Sequence, residues 1–271
     1  MDKTKKELCA LKESVAAIVR EAALMIKNVD FTTMSKSGVT DILTTSDLAS
    51  QRYLIKKLAE LIPNSGFYCE EDGISELNRE YVWIIDPIDG TTNYSRGIDE
   101  CAISVALLHN GEAVLGVVGS VFSGDIYSAV LGGGAFLNGQ AISVSANSFS
   151  QALFCTAMSL YRKEYAEVCG RIIFDTYLKC NDVRRFGSCA LELCYIAAGR
   201  CELYFEIRVF PWDYAAGYLI LREAGGIIQG LADNALNFDG PSVVVAANSR
   251  ENYERLSQIV NKHLKNIPYE D

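Results

Sequence analysis

Apolar residues near the start of the chain recur every three or four positions: Leu8, Leu11, Val15, Ile18, Val19, Ala22, Met25 and Ile26 form one stripe. That period is the signature of an amphipathic helix. A second stripe, Leu54, Ile55, Leu58, Leu61 and Ile62, predicts a helix over about 45–62, stopped by Pro63-Asn64-Ser65-Gly66. Phe67-Tyr68-Cys69 reads as a short strand, and Tyr81-Val82-Trp83-Ile84-Ile85, rich in aromatic and β-branched residues, as a buried one. From about 101 to 145 the pattern is all β. Asn110-Gly111 and Asn138-Gly139 are hairpin turns, Ser123-Gly124-Asp125 is a further turn and Gly132-Gly133-Gly134 a bend. Beyond 145, strands expected at 152–158, 182–185, 201–207, 226–229 and 243–247 alternate with helices at 163–176, 188–199, 212–224 and 249–264. Such alternation implies helices layered on sheets. Gly199 and Gly225-Gly226 fall where two of those helices should end. With no repeat and no flexible linker, the expectation is an α/β fold of two closely packed halves. A helix pair and an antiparallel sheet make up 1–145, packed on an α/β half over 146–271.

Composition narrows the classes. The 271 residues are 49% hydrophobic and 22% charged, and 25 Lys and Arg against 34 Asp and Glu leave a net charge of −9. A chain of that size and makeup buries a sizeable core and is not dominated by disorder. The acidic balance argues against a nucleic-acid partner, which normally calls for a basic stripe. No run approaches 18 apolar residues, so no membrane association is expected. Lys12, Glu13, Arg20 and Glu21 interrupt the stretch where a secretion signal would need to be apolar, which makes a cytoplasmic location the expectation. Nine cysteines without a C-x-x-C pair, and only His109 and His263, disfavour zinc and disulfides. The thiols are expected in the core as small hydrophobes.

The chemistry concentrates in three acidic clusters. Glu70-Glu71-Asp72 follows the first short strand, Asp86 and Asp89 end the second, and Asp213 opens a helix in Pro211-Trp212-Asp213. Strand ends and helix starts are where sheet-based folds place ligands, and hard divalent cations such as Mg²⁺ take oxygen ligands. In Asp86-Pro87-Ile88-Asp89-Gly90-Thr91-Thr92, Pro87 fixes its own backbone and restricts Asp86. The turn should expose Ile88, whose carbonyl then completes a metal site between the two aspartates. Gly90 permits close approach, and the amides of Gly90, Thr91 and Thr92 open a short helix suited to a phosphate. A phosphatase with an aspartyl nucleophile would read D-x-D-G-T after its strand; here the spacing is Asp86-x-x-Asp89, and that pattern fails by one residue.

These motifs together resemble the inositol monophosphatase family, within the superfamily of Mg²⁺-dependent, lithium-sensitive phosphatases with the layered sugar-phosphatase fold. The resemblance runs from the first helix to Val243-Val244-Val245-Ala246-Ala247-Asn248 and includes Lys36, Asp41, Thr44-Thr45-Ser46-Asp47 and Arg185-Phe186-Gly187-Ser188-Cys189-Ala190. It implies that Glu70, Asp86 and the Ile88 carbonyl hold one Mg²⁺, that Asp86, Asp89 and Asp213 hold a second, and that a third, weaker ion sits near Glu70. Thr91 and Asp47 would help Glu70 orient and deprotonate a water. Substrate would meet Asp89, Gly90, Thr91, Thr92, Cys189, Glu206 and Asp213. Cys69 and Cys189 stand where family members commonly have Gly and Ala, the second a change that could reshape the substrate pocket. The implied activity is hydrolysis of a small polyol phosphate, myo-inositol monophosphate first, by a homodimer. The alternatives are a fructose-1,6-bisphosphatase, a 3′-phosphonucleotidase, or a non-catalytic regulatory protein that kept the fold. Arg208, close in sequence to the substrate loop, reads either as a solvated arginine or as a contact to a second anionic group. Arg184 and Arg185 read as surface or interface charges.

Overall fold

The structure, a computed structural model, describes residues 3–27, 31–38, 41–158, 162–231 and 234–264, and of 35–38 and 41–42 the backbone alone. Its elements follow one another as α1 (Lys5–Lys27), β1 (Thr33–Gly38), β2 (Asp41–Thr44), α2 (Thr45–Leu61), β3 (Gly66–Cys69), β4 (Tyr81–Asp89) and α3 (Thr91–Arg96). A run of strands comes next: β5 (Ala102–His109), β6 (Glu112–Ser120), β7 (Ile126–Val130), β8 (Ala135–Leu137) and β9 (Gln140–Ile142). The remainder alternates as β10 (Leu153–Thr156), α4 (Ala166–Tyr177), β11 (Asp182–Arg184), α5 (Cys189–Ala197) and β12 (Leu203–Val209), then α6 (Pro211–Glu223), β13 (Ile227–Gln229), β14 (Ser242–Ala247) and α7 (Arg250–Leu264).

Strands β3 to β9 form one seven-stranded sheet in chain order, antiparallel except for the β3–β4 pair. A five-stranded sheet has the order β11-β10-β12-β14-β13, parallel around β10 and antiparallel around β14. Three apolar clusters glue these sheets into five layers. Helices α1 and α2 cover one face of the large sheet, where Val15, Val19, Leu54 and Leu58 meet Trp83, Ile85 and Val105. Its other face, through Val82, Ile84 and Ala106, meets α5 and α6, which also pack on Tyr204, Ile228 and Val244 of the small sheet. The far side of the small sheet buries Phe154, Phe205 and Val245 against Ile172 of α4 and Leu256 of α7. Each fully buried Leu, Ile, Val or Phe stabilises by roughly 1.5–3 kcal/mol relative to exposure, so these layers dominate the fold's stability. Among the described residues no helix is long and apolar enough to cross a membrane.

Three features depart from the sequence reading. The β1–β2 hairpin is not announced by the apolar pattern; its strands form a two-stranded sheet of their own. Strand β4 does not end at Ile85 but runs to Asp89. Ile88 is fully buried in the layer beneath α1 and α2, not exposed by a turn. The reason for the last two is a β-bulge. Asp86 pairs with Ser104 and Asp89 with Ala102, so β4 carries one residue more than β5 over this stretch, which contains Pro87. Proline has no N–H for the ladder and is confined within sheets to edges or bulges. Seven of the nine cysteines are buried, Cys9 and Cys180 are partly so, and all nine are free thiols.

Candidate active site

Residues three apart on a regular strand point to opposite faces of the sheet. The extra residue in β4 corrects that phase. Val82, Ile84 and Asp86 face the central layer, Ile88 returns to the α1–α2 layer, and Asp89 rejoins Asp86. The Ile88 amide donates to the Asp86 side chain at Oδ1, 2.9 Å, and this bond holds the bulge. Ser50 of α2 donates to the Pro87 carbonyl at 3.1 Å. On the central layer α6 begins with Pro211, whose fixed φ suits the first helical position. Asp213, at the third position, reaches back to accept the Phe210 amide at 2.9 Å. One carboxylate oxygen each of Asp86, Asp89 and Asp213 lie within 4.8 Å of one another.

Glu70 and Glu206 extend the cluster. The Glu70 carboxyl hydrogen-bonds Asp86, and its charge acts on Asp86, Asp89 and Asp213. Burial, reinforced by the charges of Glu70, Asp89 and Asp213, pushes the Asp86 carboxyl well above the usual carboxylate range. Burial, then Asp89 and Glu70, do the same to Asp213. Asp89 is pushed up to about 6 by burial, against the lowering effect of hydrogen bonds from Ser188 and the Ala190 amide. Glu206 is pushed up to about 7, again by burial, with a bond from Tyr204 and the charge of Arg185 acting the other way. So many like charges in a shared site raise one another's pKa. An all-oxygen donor set under this repulsion fits a hard divalent cation and offers little to a soft metal.

The neighbouring side chains are held firmly. Asp47, fully buried at the third position of α2, accepts the Thr44 amide at 2.7 Å through Oδ2, a capping box, and the Thr91 hydroxyl at 3.2 Å through Oδ1. The Thr91 hydroxyl also lies 3.0 Å from the Ile88 carbonyl, so the one proton it can donate is shared between two acceptors. Gly90 caps α3 with φ +90°, and a β-carbon there would sit 2.9 Å from the Glu100 carbonyl, so the position requires glycine. Thr92 is exposed at the first turn of α3. Lys36 and Asp41 have side chains outside the described residues.

Several contacts around the site could not be read from the sequence. Ser188, the N-cap of α5, donates its hydroxyl to Asp89 Oδ2 at 2.6 Å, and the Ala190 amide reaches the same oxygen at 2.7 Å. Asp89 therefore ties the end of β4 to the start of α5 across the site. Glu192, buried in α5, accepts the Phe186 and Gly187 amides at 2.7 and 3.1 Å. Asn93 of α3 donates to the Glu100 and Phe186 carbonyls, 2.7 Å each. Cys189, the first residue of α5, is buried and hydrogen-bonds Tyr204, whose hydroxyl donates to Glu206 Oε2 at 2.6 Å. Burial pushes the Cys189 thiol well up, away from the thiolate. Arg185, expected at a surface or interface, is close enough to Glu206 to oppose its rise in pKa. Of the sequence-derived residues, Glu70, Asp86, Asp89 and Asp213 converge, Glu206 and Cys189 border them through α5 and β12, and Thr91 and Asp47 pair beside them.

Known proteins resemble this chain over most of its length. The profile of the inositol monophosphatase family matches residues 1–265. The Nus factor SuhB of Escherichia coli K12 is 34% identical over 245 residues, 89% of this chain and 91% of that protein. Inositol monophosphatase 2 of Solanum lycopersicum is 38% identical over 218 residues, 78% of this chain and 82% of its own length. Among solved structures, an IMPase of Thermotoga maritima superposes with a TM-score of 0.84 at 30% identity, over 95% of this chain and 98% of that one.

Proposed function

This chain belongs to the inositol monophosphatase family, and from that premise we propose that it hydrolyses the phosphate monoester of a small polyol, myo-inositol monophosphate first among them, with Mg²⁺ as cofactor. The observation that carries the reading is the meeting of Asp86, Asp89 and Asp213 oxygens within 4.8 Å, brought together by a bulge in β4 and the start of α6. Glu70, Asp86 and the Ile88 carbonyl would hold one Mg²⁺, Asp86, Asp89 and Asp213 a second, and Glu70 would lie beside a weaker third. The Ile88 carbonyl accepts from Thr91 at 3.0 Å, and a carbonyl oxygen carries a second lone pair that would serve the ion. Bound Mg²⁺ would neutralise the carboxylates, draw in the phosphate dianion and make water a stronger acid.

The protein's own groups supply the rest. Thr91, its proton shared between Asp47 and the Ile88 carbonyl, keeps its lone pairs for a water that Glu70 deprotonates. Water is the nucleophile because the alternatives are disabled: the Cys189 thiol is kept protonated and the Ser188 proton is committed to Asp89. Gly90, Thr91 and Thr92 border the phosphate, and Glu206 faces the substrate's hydroxyls with Cys189 behind it. Lithium sensitivity and a homodimeric assembly belong to the same family-based reading.

A screen of phosphate release with Mg²⁺ across myo-inositol 1-phosphate, fructose 1,6-bisphosphate and 3′-phosphoadenosine 5′-phosphate tests it. Preferred turnover of the inositol ester supports the reading, and preference for either of the others reassigns the substrate. A second reading, a role independent of hydrolysis, is raised by the name Nus factor that the Escherichia coli relative carries. Absence of Mg²⁺-dependent hydrolysis of all three esters would favour it.

A further inference from the structure

Glu206 stands where β12 loses a neighbour. The strand lies between β10 and β14, but its pairing with β10 ends at Phe205, opposite Thr156, whose hydroxyl donates to the Phe205 carbonyl at 2.8 Å. From Glu206 onward β12 pairs with β14 alone, and that register shifts between Glu206 and Val209. The side chain is half-buried there, close enough to Asp89 and Asp213 for their charges to act on one another. Glutamate has a long side chain with several rotatable bonds and loses conformational entropy when it takes a single orientation. Recognition of a hydroxyl at a defined place therefore needs something to fix the carboxylate.

Tyr204 meets that need. Two positions apart on a strand, Tyr204 and Glu206 share one face of the sheet, the one turned to the central layer. Tyr204 is fully buried on the middle strand of the small sheet, paired with Cys155 on one side and Ala246 on the other. Its hydroxyl donates to Glu206 Oε2 at 2.6 Å, a short bond of the kind that carboxylates make. Burial pushes the phenol well above its usual range, so the proton stays on its oxygen. That proton is committed to Glu206. In the bond between Cys189 and Tyr204 the donor is therefore the thiol, which burial also keeps protonated. A buried ring on a doubly paired strand is a rigid anchor, and a functional group is held precisely when the residues behind it are themselves locked. With Oε2 given to Tyr204, Oε1 is the oxygen that would accept from a substrate hydroxyl.

We propose that Tyr204 is a positioning residue that gives the site its selectivity for polyol esters, by holding the Glu206 carboxylate in the orientation that accepts a substrate hydroxyl, and that Cys189 steadies Tyr204 in turn. This rests on the reading of Glu206 given above and deepens it. Tyr204 acts through Glu206 and not on the phosphate or the attacking water. Its hydroxyl therefore bears on how well the polyol is bound, while the chemical step stays with the acidic centre.

The test compares kcat/KM for myo-inositol 1-phosphate and for phenyl phosphate, whose alcohol carries no further hydroxyl, in the wild type, Tyr204→Phe, Glu206→Ala and the double variant, all with Mg²⁺. Tyr204→Phe removes the hydroxyl and keeps the buried ring. The ratio of inositol ester to phenyl ester should fall about tenfold, as expected for a lost hydrogen bond to a charged group, and KM rather than kcat should carry the change. In the Glu206→Ala background Tyr204→Phe should cause no further fall, because the two residues act as one. An equal loss on both esters, or a further fall in that background, overturns the inference. So does an unchanged ratio in Tyr204→Phe when Glu206→Ala lowers it, and the phosphatase reading then stands. An unchanged ratio in Glu206→Ala removes the hydroxyl contact and the inference with it. Hydrolysis of neither ester by the wild type overturns the phosphatase reading as well. Should Tyr204→Phe fail to fold, Cys189→Ala and Cys189→Ser decide: a ratio lowered in the first and kept in the second, which retains a donor, supports the proposal, and a ratio equal in the two overturns it.

Discussion

Ser188 donates its hydroxyl to Asp89 Oδ2 at 2.6 Å, tying the first residues of α5 to the end of β4. Ser188 caps its helix with the same oxygen that serves Asp89, accepting the Leu191 amide at 3.3 Å. Replacing it by alanine should therefore act twice. The lost cap should cost about 1 kcal/mol of stability in denaturant unfolding. The lost donor should leave Asp89 less well placed, so the variant should need more Mg²⁺ for half-maximal activity. Unchanged values for both would show that this bond organises nothing.

Burial of the carboxylates, with repulsion among them adding to it, gives the metal-free protein an unusual pH response. Asp89 has its pKa raised to about 6 by burial, above the unfolded carboxylate. An acid whose folded pKa is raised favours the fold fully below the unfolded pKa, near 4, and loses that contribution as pH rises through the folded value. Relative to Asp89→Asn, the metal-free wild type should lose about 3 kcal/mol between about pH 4 and pH 7. Thermal unfolding with a chelator should show it, and Mg²⁺ should restore the loss at neutral pH but add little at pH 4.

Asp213→Asn should separate stability from activity. The amide oxygen can still accept from Phe210, while one of the mutually repelling charges is removed. The metal-free variant should unfold at the wild-type temperature or above it. Its hydrolysis should fall by ~100-fold or more, since even residues that merely orient metal ligands cost 10–100-fold. A variant that unfolds earlier would instead assign Asp213 a structural role.

Gly90→Ala probes the backbone under the site. Its φ of +90° and the Glu100 carbonyl 2.9 Å from the added β-carbon leave no relaxed conformation. The expected destabilisation is of order 1–3 kcal/mol in denaturant unfolding. A loss below that range would mean that α3 shifts to accommodate the methyl group.

Much of this site was legible because its residues cluster in short motifs. Asp89 and Asp213 stand at a recognisable strand end and helix start, with Asp86 in the same short motif, and the alternation after 145 yields the observed order of strands and helices. What escaped depended on long-range register. The bulge in β4 is a mismatch with β5, so Ile88 was expected outside and lies inside. The Ser188–Asp89 bond links β4 to α5 across about a hundred residues of chain, and Tyr204 is tied to Cys189 and Glu206 only once β12 and α5 are packed. Arg185 reads as a surface charge until the fold brings it near Glu206. The β1–β2 hairpin, Thr-Met-Ser-Lys-Ser-Gly paired with Asp-Ile-Leu-Thr, has too few apolar positions to announce itself.

The most direct test of the central claim is phosphate release from myo-inositol 1-phosphate by wild type and Asp86→Asn, each with Mg²⁺ and with a chelator. The account predicts turnover in the wild type with Mg²⁺ alone and near silence in the other three samples, with Asp86→Asn still folded. Equal turnover by the folded variant, or by the wild type under chelation, would contradict it.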